Sequence, residues 1–534
     1  MHVLDSCPLF RPTSVFGLLA LATVFGFVVL LILAIRRRYF HPLSRFPGPF
    51  WGSLTDWYLV WVIKSVPTYG LDLHKKYGPI VRLSPNLLSF SDPRYLPRVY
   101  HRAADKPQFY GSWMFGHTAA MFQSLKHEDH AAKKRLVAPC CSMTQMKLYH
   151  EHKITERVDE LCVKIRERSV LPNQPLDFSE YLRYFLSDTW SHLVYGKPMG
   201  WVREGQDVGG LLAALQGVYG MSATAAVMPW LMPSLRSPTI IKYFWSRTAT
   251  FKNMDLLFKV HQQFDTMINQ PRSRSDGKED VNFFDGLNPT EKSIDFQFSR
   301  EDIKAEVITF TAATLDGVAA FISPFIDNMT QYPAIRKRLM EEITAADSAG
   351  RLSRPVARYE ETLDLPFFMA CIKETLRHDA PAQTILPRIV SDGGYWLDDH
   401  VYIPAGTHMG ASPFIIHRDQ HIFGADAERF RPERWLGDEC GVCSTPVQHD
   451  AHVRLMEKYG MWWGYGDREC AGKYYAVMEM QKLCVELLRR FDFCTPDSLD
   501  GRFKHERWAV GMFWNQMLQF SERCPMSERP GQTL

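Results

Sequence analysis

Hydrophobic and polar positions follow distinct patterns along this chain. Val15 to Ile35, VFGLLALATVFGFVVLLILAI, is apolar without interruption and carries no charge. As a helix rising about 1.5 Å per residue, it spans roughly 31 Å, the thickness of a bilayer's hydrocarbon core. Later stretches repeat apolar residues at three and four, as amphipathic helices do. Residues 301–322 form one, with Ser299 as its cap and Glu301 and Asp302 in its first turn. Residues 365–378 form another. The clearest is 471–491, where Ala476, Val477, Met480, Leu483, Cys484, Leu487 and Leu488 share a face. Strand-like runs are short, at 79–90 and 385–403. Residues 271–300 are polar and rich in turn formers, so a surface loop is expected there, and another at 437–452. The pattern predicts a mainly α domain with a minor β-sheet region.

Charge orients the first element. Arg36, Arg37 and Arg38 follow the apolar run directly and Arg45 comes soon after, whereas only Asp5 and Arg11 precede it. The positive-inside rule places residues 1–14 in the lumen, a transmembrane anchor at 15–35 and the remainder in the cytosol. A cleaved signal peptide would have a shorter apolar region, with its positive charges in front. A core helix would show a polar face. Residues 36–50 read as a basic linker. In it, Pro47-Gly48-Pro49 cannot continue a helix, since both prolines lack an N–H and restrict the residue before. Residues 51–534 then form one large domain, with no Gly/Ser-rich linker and no repeat.

Composition narrows the function. Of 534 residues 46% are hydrophobic and 23% charged, which excludes a largely disordered chain. Lys+Arg 62 against Asp+Glu 59 gives a net charge of +3, too little to point to nucleic acid. Eleven cysteines, an odd and sparse number, fit reduced thiols facing a cytosol.

One cysteine stands apart. Trp463-Gly464-Tyr465-Gly466-Asp467-Arg468-Glu469-Cys470-Ala471-Gly472 immediately precedes the best helix in the chain. At a helix N-terminus the dipole and backbone N–H groups favour thiolate over thiol. A thiolate there is a metal ligand or a nucleophile; a plain structural cysteine is the third option, and no histidine pattern supports a cysteine protease. Gly466 permits a tight turn, Gly472 the close approach of a flat ligand, and Arg468 reaches an anionic group on it.

This segment resembles the haem loop of the cytochrome P450 family, F-x-x-G-x-R-x-C-x-G, with Trp463 in place of the phenylalanine. Glu374 and Arg377 match the family's E-x-x-R pair, and Pro432-Glu433-Arg434-Trp435 its P-E-R-F/W signature, in the family's order over about residues 40–520. The resemblance implies a cytochrome P450 fold behind one N-terminal transmembrane helix. It implies haem b bound through Cys470, and a buried network of Glu374, Arg377 and Arg434 that positions the loop. It also implies that His130, Arg388 and Arg468 contact the haem propionates. Lys134 and Arg135 read equally as propionate contacts or as a solvated basic face.

The central helix departs from the family. Where the pattern is A/G-G-x-D/E-T-T/S, this chain has Ala313-Thr314-Leu315-Asp316-Gly317-Val318. Asp316 aligns with the acid, but Gly317 and Val318 stand at the hydroxyl positions and Thr314 at the glycine. The resemblance assigns proton delivery to Asp316 with water, to Thr314, or to a substrate hydroxyl; a purely structural Asp316 is the alternative.

The activity implied is insertion of one oxygen atom from dioxygen into a lipophilic small molecule, as in fungal secondary metabolism. The implied partners are NADPH-cytochrome P450 reductase, with cytochrome b5 as a second donor, and the endoplasmic reticulum membrane. Alternatives are a haem-thiolate isomerase or dehydratase acting without reductase, motivated by the absent threonine, and a non-catalytic haem-binding protein. Cys440-Gly-Val-Cys443 lacks a second pair at zinc spacing and reads as loop. The Asn328 sequon on a cytosolic helix stays silent. Segments 109–115, 218–232 and 508–516 match pocket-lining regions of the family, and read equally as core or membrane-contacting surface.

Overall fold

A computed structural model describes residues 15–62, 66–114, 118–210, isolated positions between 212 and 243, 281–285, 287, 298–437, 445–499, 503–507 and 510–523. The expected lumenal residues 1–14 and the pair Cys440 and Cys443 lie outside these.

The apolar run is a single helix, α1 (Val15–Ile35). It continues as a wider helical turn over Arg36–Phe40, so the linker expected from residue 36 begins as helix. The segment Leu18–Phe40 has mean hydropathy 3.0 and none of it is buried in the fold. The long central helix also passes by length and composition, but 72% of its apolar stretch is buried, which marks a core helix. The Pro47-Gly48-Pro49 turn is held by the sheet. Arg82 N–H donates to the Pro47 carbonyl at 2.8 Å, and a Cβ at Gly48 would drive into the Arg82 carbonyl. Two short helices follow, α2 (Phe50–Leu54) and α3 (Trp57–Val62).

The principal sheet has the order β1–β2–β4–β3, with β1 (Ile80–Ser84), β2 (Leu87–Phe90), β3 (Arg388–Ile389) and β4 (His408–Gly410). β2 and β4 run parallel, and the other pairs are antiparallel. Buried aromatic and aliphatic side chains, among them Leu88, Phe90 and Met409, fix its register against a satellite core.

The main core lies among helices. α4 (His127–Cys140), α5 (Phe178–Tyr195), α6 (Arg300–Gln331), α7 (Pro366–His378) and α9 (Lys473–Arg490) surround it. α6 starts where expected: Ser299 Oγ accepts from Asp302 N–H at 3.1 Å and the Asp302 carboxylate returns to Ser299 N–H at 3.0 Å. It runs nine residues past the expected end at 322, through Pro324, because both sides of this turn are packed: Phe321, Ile322 and Phe325 are fully enclosed. That burial outweighs the hydrogen bond proline removes.

Two loop expectations are corrected. Residues 446–452 open a helix, α8 (Pro446–Tyr459), capped by Thr445. Within 271–300, Phe283 and Phe284 are buried, with Phe283 5.1 Å from the Trp190 ring. Asn328 is buried and donates to Asp379 at 2.8 Å.

Inside this core Glu479 is fully enclosed, and neither carboxyl oxygen meets a donor at ordinary geometry. Burial raises its pKa from 4.5 to about 8, and the nearby Tyr475 and Thr189 hydroxyls only partly oppose this. The folded state therefore holds a proton that the unfolded chain releases near pH 4.5, so stability falls as pH climbs from there to about 8. Glu479→Gln is expected to flatten that decline in calorimetric Tm; coincident wild-type and variant profiles would contradict a neutral carboxyl.

Candidate functional site

The loop bearing Cys470 is shaped by its glycines. Gly464 and Gly466 have φ of +88° and +72°, the left-handed region that only glycine enters without strain. A Cβ on Gly466 would also strike the Tyr100 carbonyl. The turn closes when Cys470 N–H donates to the Trp463 carbonyl at 2.7 Å. The Trp463 ring packs half-buried on the main core. Gly472 caps α9 and leaves open space: a Cβ there would lie 3.7 Å from Phe310 and 4.0 Å from the Cys470 sulfur.

Cys470 is exposed, while Cys140, Cys141, Cys162, Cys371 and Cys484 are buried. Its openness is local, for protein surrounds the thiol on its other sides. Burial raises its pKa, and the Gly472 N–H and Lys473 only partly oppose this. The helix end alone therefore does not make the thiolate expected from sequence. A metal cation beside the sulfur would favour the thiolate.

What holds the loop is a buried charge network. Glu374, Arg377 and Arg434 are 0%, 0% and 2% exposed. Arg377 Nε and Nη2 donate to the two Glu374 oxygens at 2.9 and 2.8 Å, and Arg434 Nε to both at 3.0 Å. The Arg431 backbone N–H and Trp435 Nε1 complete the carboxylate's shell at 2.8 and 3.0 Å. Burial opposes the charge on Glu374, but Arg377 and Arg434 outweigh it and hold the carboxyl below its ordinary range. Arg377 also binds the carbonyls of His417, Ala427 and Arg429.

His417, absent from the sequence reading, passes this order to the loop. Its Nε2 accepts from Met461 N–H at 2.9 Å, while Nδ1 lies 3.1 Å from the Arg377 carbonyl. These partners require a neutral ring protonated at Nδ1; burial, then Arg377, push its pKa well down to match. Trp462 packs 4.5 Å from that ring and 5.7 Å from Trp435.

On another side of the loop, cations gather. Lys106, His130 and Arg388 are each 5% exposed. Ile389 N–H donates to the Asp105 carbonyl at 2.9 Å, which brings β3 and the Lys106 segment together. Arg388 donates to Tyr110 Oη at 2.8 Å, and Lys106 to the Phe122 carbonyl at 2.7 Å, above the Tyr110 ring. Arg468 donates to the Ser124 carbonyl at 2.6 Å, and its Nε is buried without a partner. Burial, then Arg468, Lys106 and Lys134, push His130 down to about 3. Burial and Arg388 lower Arg468 to about 10. Lys134 does not join the nest directly; it grips the Asp467 carbonyl and, at 3.1 Å, its carboxylate, which clamps the loop. Arg135 is exposed. Asp105 is already engaged by Lys126 and His127. The nest is short of negative charge.

Across the site runs α6. Thr309 and Gly317 are half-open and Ala313 is exposed, at spacing i, i+4, i+8, whereas Thr314 and Asp316 are 6% and 4% exposed. Burial raises the Asp316 pKa, with Arg183 opposing. The open face thus carries a hydroxyl at Thr309, which accepts from Gln123 Nε2 at 3.2 Å. Thr309 was not singled out from the sequence; its four- and eight-residue spacing from Ala313 and Gly317 was the available signal.

Comparison with known proteins fits this geometry. The cytochrome P450 family model matches residues 46–516. The chain belongs to the cytochrome P450 family. Among curated proteins, quiannulatic acid synthase of Emericella variicolor is 32% identical, over 81% of this chain and 83% of its own. Cytochrome P450 monooxygenase gsfF of Penicillium aethiopicum is 27% identical, over 91% and 94%. Cytochrome P450 monooxygenase mpaDE of Penicillium roqueforti is 29% identical over 85% of this chain but 52% of its own length. The protein is accordingly an oxygen-incorporating oxidoreductase of mostly helical fold, and the family implies haem, a redox partner and a lipophilic substrate.

The residues present fit that group. Among the described residues no three His, Cys, Asp or Glu side chains could hold a bare metal ion. A macrocycle that brings its own four nitrogens needs from the protein only one sulfur, and Cys470 offers it. The nest's surplus positive charge suits two propionates.

Two variants test this arrangement. Arg377→Ala leaves a buried carboxylate short of a partner, at a cost of about 3–5 kcal/mol. Its yield of protein giving a red-displaced Soret band under carbon monoxide is expected to collapse. Lys106→Met is expected to fold yet lose haem to apomyoglobin about tenfold faster, from one charge-assisted bond of about 1.5 kcal/mol; an unchanged rate would remove Lys106 from the nest.

Proposed function

We propose that this protein is a haem-dependent monooxygenase that inserts one oxygen atom from dioxygen into a lipophilic secondary metabolite. The observation that carries the reading is the accessible Cys470 thiol, on a loop locked to the buried Glu374–Arg377–Arg434 network. In this reading Cys470 would hold the haem iron through its sulfur, and Trp463, Gly466 and Gly472 would shape its surroundings. Arg468, Arg388, His130 and Lys106 hold the propionates, and Lys134 secures the loop. Bound haem supplies the oxidising chemistry. The protein's share is placement and proton handling. Asp316, buried and facing Arg183's charge, holds a proton near the open turn of α6 and gives it up through water admitted beside Gly317. Thr314, buried on the same helix, supports that turn, and Thr309 lends the nearest open hydroxyl.

Electrons come from NADPH through NADPH-cytochrome P450 reductase, with cytochrome b5 as a second donor. α1 anchors the chain in the endoplasmic reticulum membrane with its domain in the cytosol. A cavity of about 380 Å³ lies beside the end of the anchor, lined by Arg37, His41, Phe109, Ala226, Val227 and Pro387 among others. Its position suits entry of a substrate from the bilayer, and its walls draw on the segments 109–115 and 218–232.

The glycine at 317 favours one second reading, an isomerase or dehydratase that acts without reductase. NADPH consumption and product formation over terpenoid, polyketide and indole substrates separate the two. Turnover is expected to vanish when reductase or dioxygen is withheld; undiminished turnover would establish the second reading. Asp316→Asn is expected to lower product formation about a hundredfold with the thiolate-type carbon monoxide spectrum intact.

A further inference from the structure

Where the anchor enters the domain, arginines converge without matching acids. Arg82, on β1, is 1% exposed. Its Nη2 donates to the Arg37 carbonyl at 3.0 Å and the Pro85 carbonyl at 2.8 Å, and its Nε to Pro85 at 3.3 Å. Its Nη1 is enclosed and has no hydrogen-bond partner, and the same holds for Arg38 Nε. The charges of Arg38 and Arg37 bear directly on Arg82. Arg37 spends one N–H on the Leu54 carbonyl at 2.7 Å. Asp56 feels the charge of Arg37 but hydrogen-bonds Ser84. Among the described residues no ion pair joins Arg37, Arg38 or Arg82 to an acid.

Three adjoining guanidinium groups, two of them with an enclosed, unused N–H donor, call for an anion with several acceptor oxygens, and phosphate is the group a guanidinium fits best. Their height supplies the source. They sit at the end of an apolar helix of bilayer length, where lipid phosphates lie. Beside them Phe40, Trp51, Trp57 and Trp61 are 78%, 64%, 57% and 76% exposed, and aromatic rings of this kind favour the headgroup region. We propose that Arg37, Arg38 and Arg82 form a binding site for the phosphate of an anionic phospholipid at the junction of anchor and domain. This rests on the membrane reading of α1.

The test uses the full haem-loaded chain. Flotation with vesicles of phosphatidylcholine, alone or mixed with phosphatidylserine, tests membrane association. Native mass spectrometry of protein released from the mixed vesicles counts the lipids that remain bound. Phosphatidylserine is expected to be retained about tenfold over phosphatidylcholine. Arg38→Gln, a half-exposed position that tolerates change, is expected to lower this about fivefold with the haem spectrum unaltered. Arg82→Gln serves as the stronger variant if circular dichroism shows it folded. Equal retention of both lipids, or an unchanged preference in Arg38→Gln, overturns the site while leaving the anchor intact. Displacement of the lipid by millimolar inorganic phosphate would assign the site to the free ion and overturn the lipid. Failure to float with either vesicle brings down the anchor and the site together.

Discussion

A single carboxylate organises the proximal half of this molecule. Glu374 is wholly enclosed, and water contributes nothing to its charge. It stays ionised because two guanidinium groups, a backbone N–H and an indole N–H fill its lone pairs. Once so held it cannot move independently of them, since an unpaired buried charge is far costlier than a shifted surface one. The segment 417–435 is thereby pinned to α7, and through His417 and Met461 the chain entering the cysteine loop is pinned as well. The loop needs this support, because its own backbone bends through two left-handed glycines and gains little from regular hydrogen bonding.

The opposite electrostatic condition holds a few residues away. Lys106, His130 and Arg388 are buried beside the half-buried Arg468, and burial first, then their mutual repulsion, lowers the proton affinity of His130 and Arg468. One network is complete within the protein, whereas the other carries a surplus of positive charge that suits an acidic ligand. The contrast separates a structural cluster from a binding one on physical grounds. The same reasoning applies to Cys470, whose thiol is driven toward its neutral form until a cation meets it.

Much of this was legible in sequence because its chemistry lies in contiguous motifs. Glu374 and Arg377 share a helical turn, and Cys470 announces itself through the glycines around it. α1 was plain from its unbroken apolar run, α9 from periodicity, and Ser299 from its capping residues. The misses have physical causes. α8 carries a Thr445-Pro446 start signal, but it buries only His449 and Met456, so its polar face read as loop. Phe283 and Phe284 are apolar islands in a polar stretch, too short to show a period. His417 owes its role to partners 40 residues and more away, and Lys106 to its approach to the distant Arg388 and Arg468, across turns and sheet registers that one sequence does not reveal. The open face of α6 required knowing which side of a largely buried helix meets the site.

The hydrogen bond from Arg82 to the carbonyl of Arg37 ties the helical turn that continues α1 to the folded body. With Arg37 reaching to the Leu54 carbonyl and Arg45 to that of Tyr402, three side-chain cross-links join this stretch to the domain. The direction in which α1 leaves the domain is therefore set by side-chain bonds as well as by backbone, and a chain cut beyond Arg37 would strip β1 of a brace.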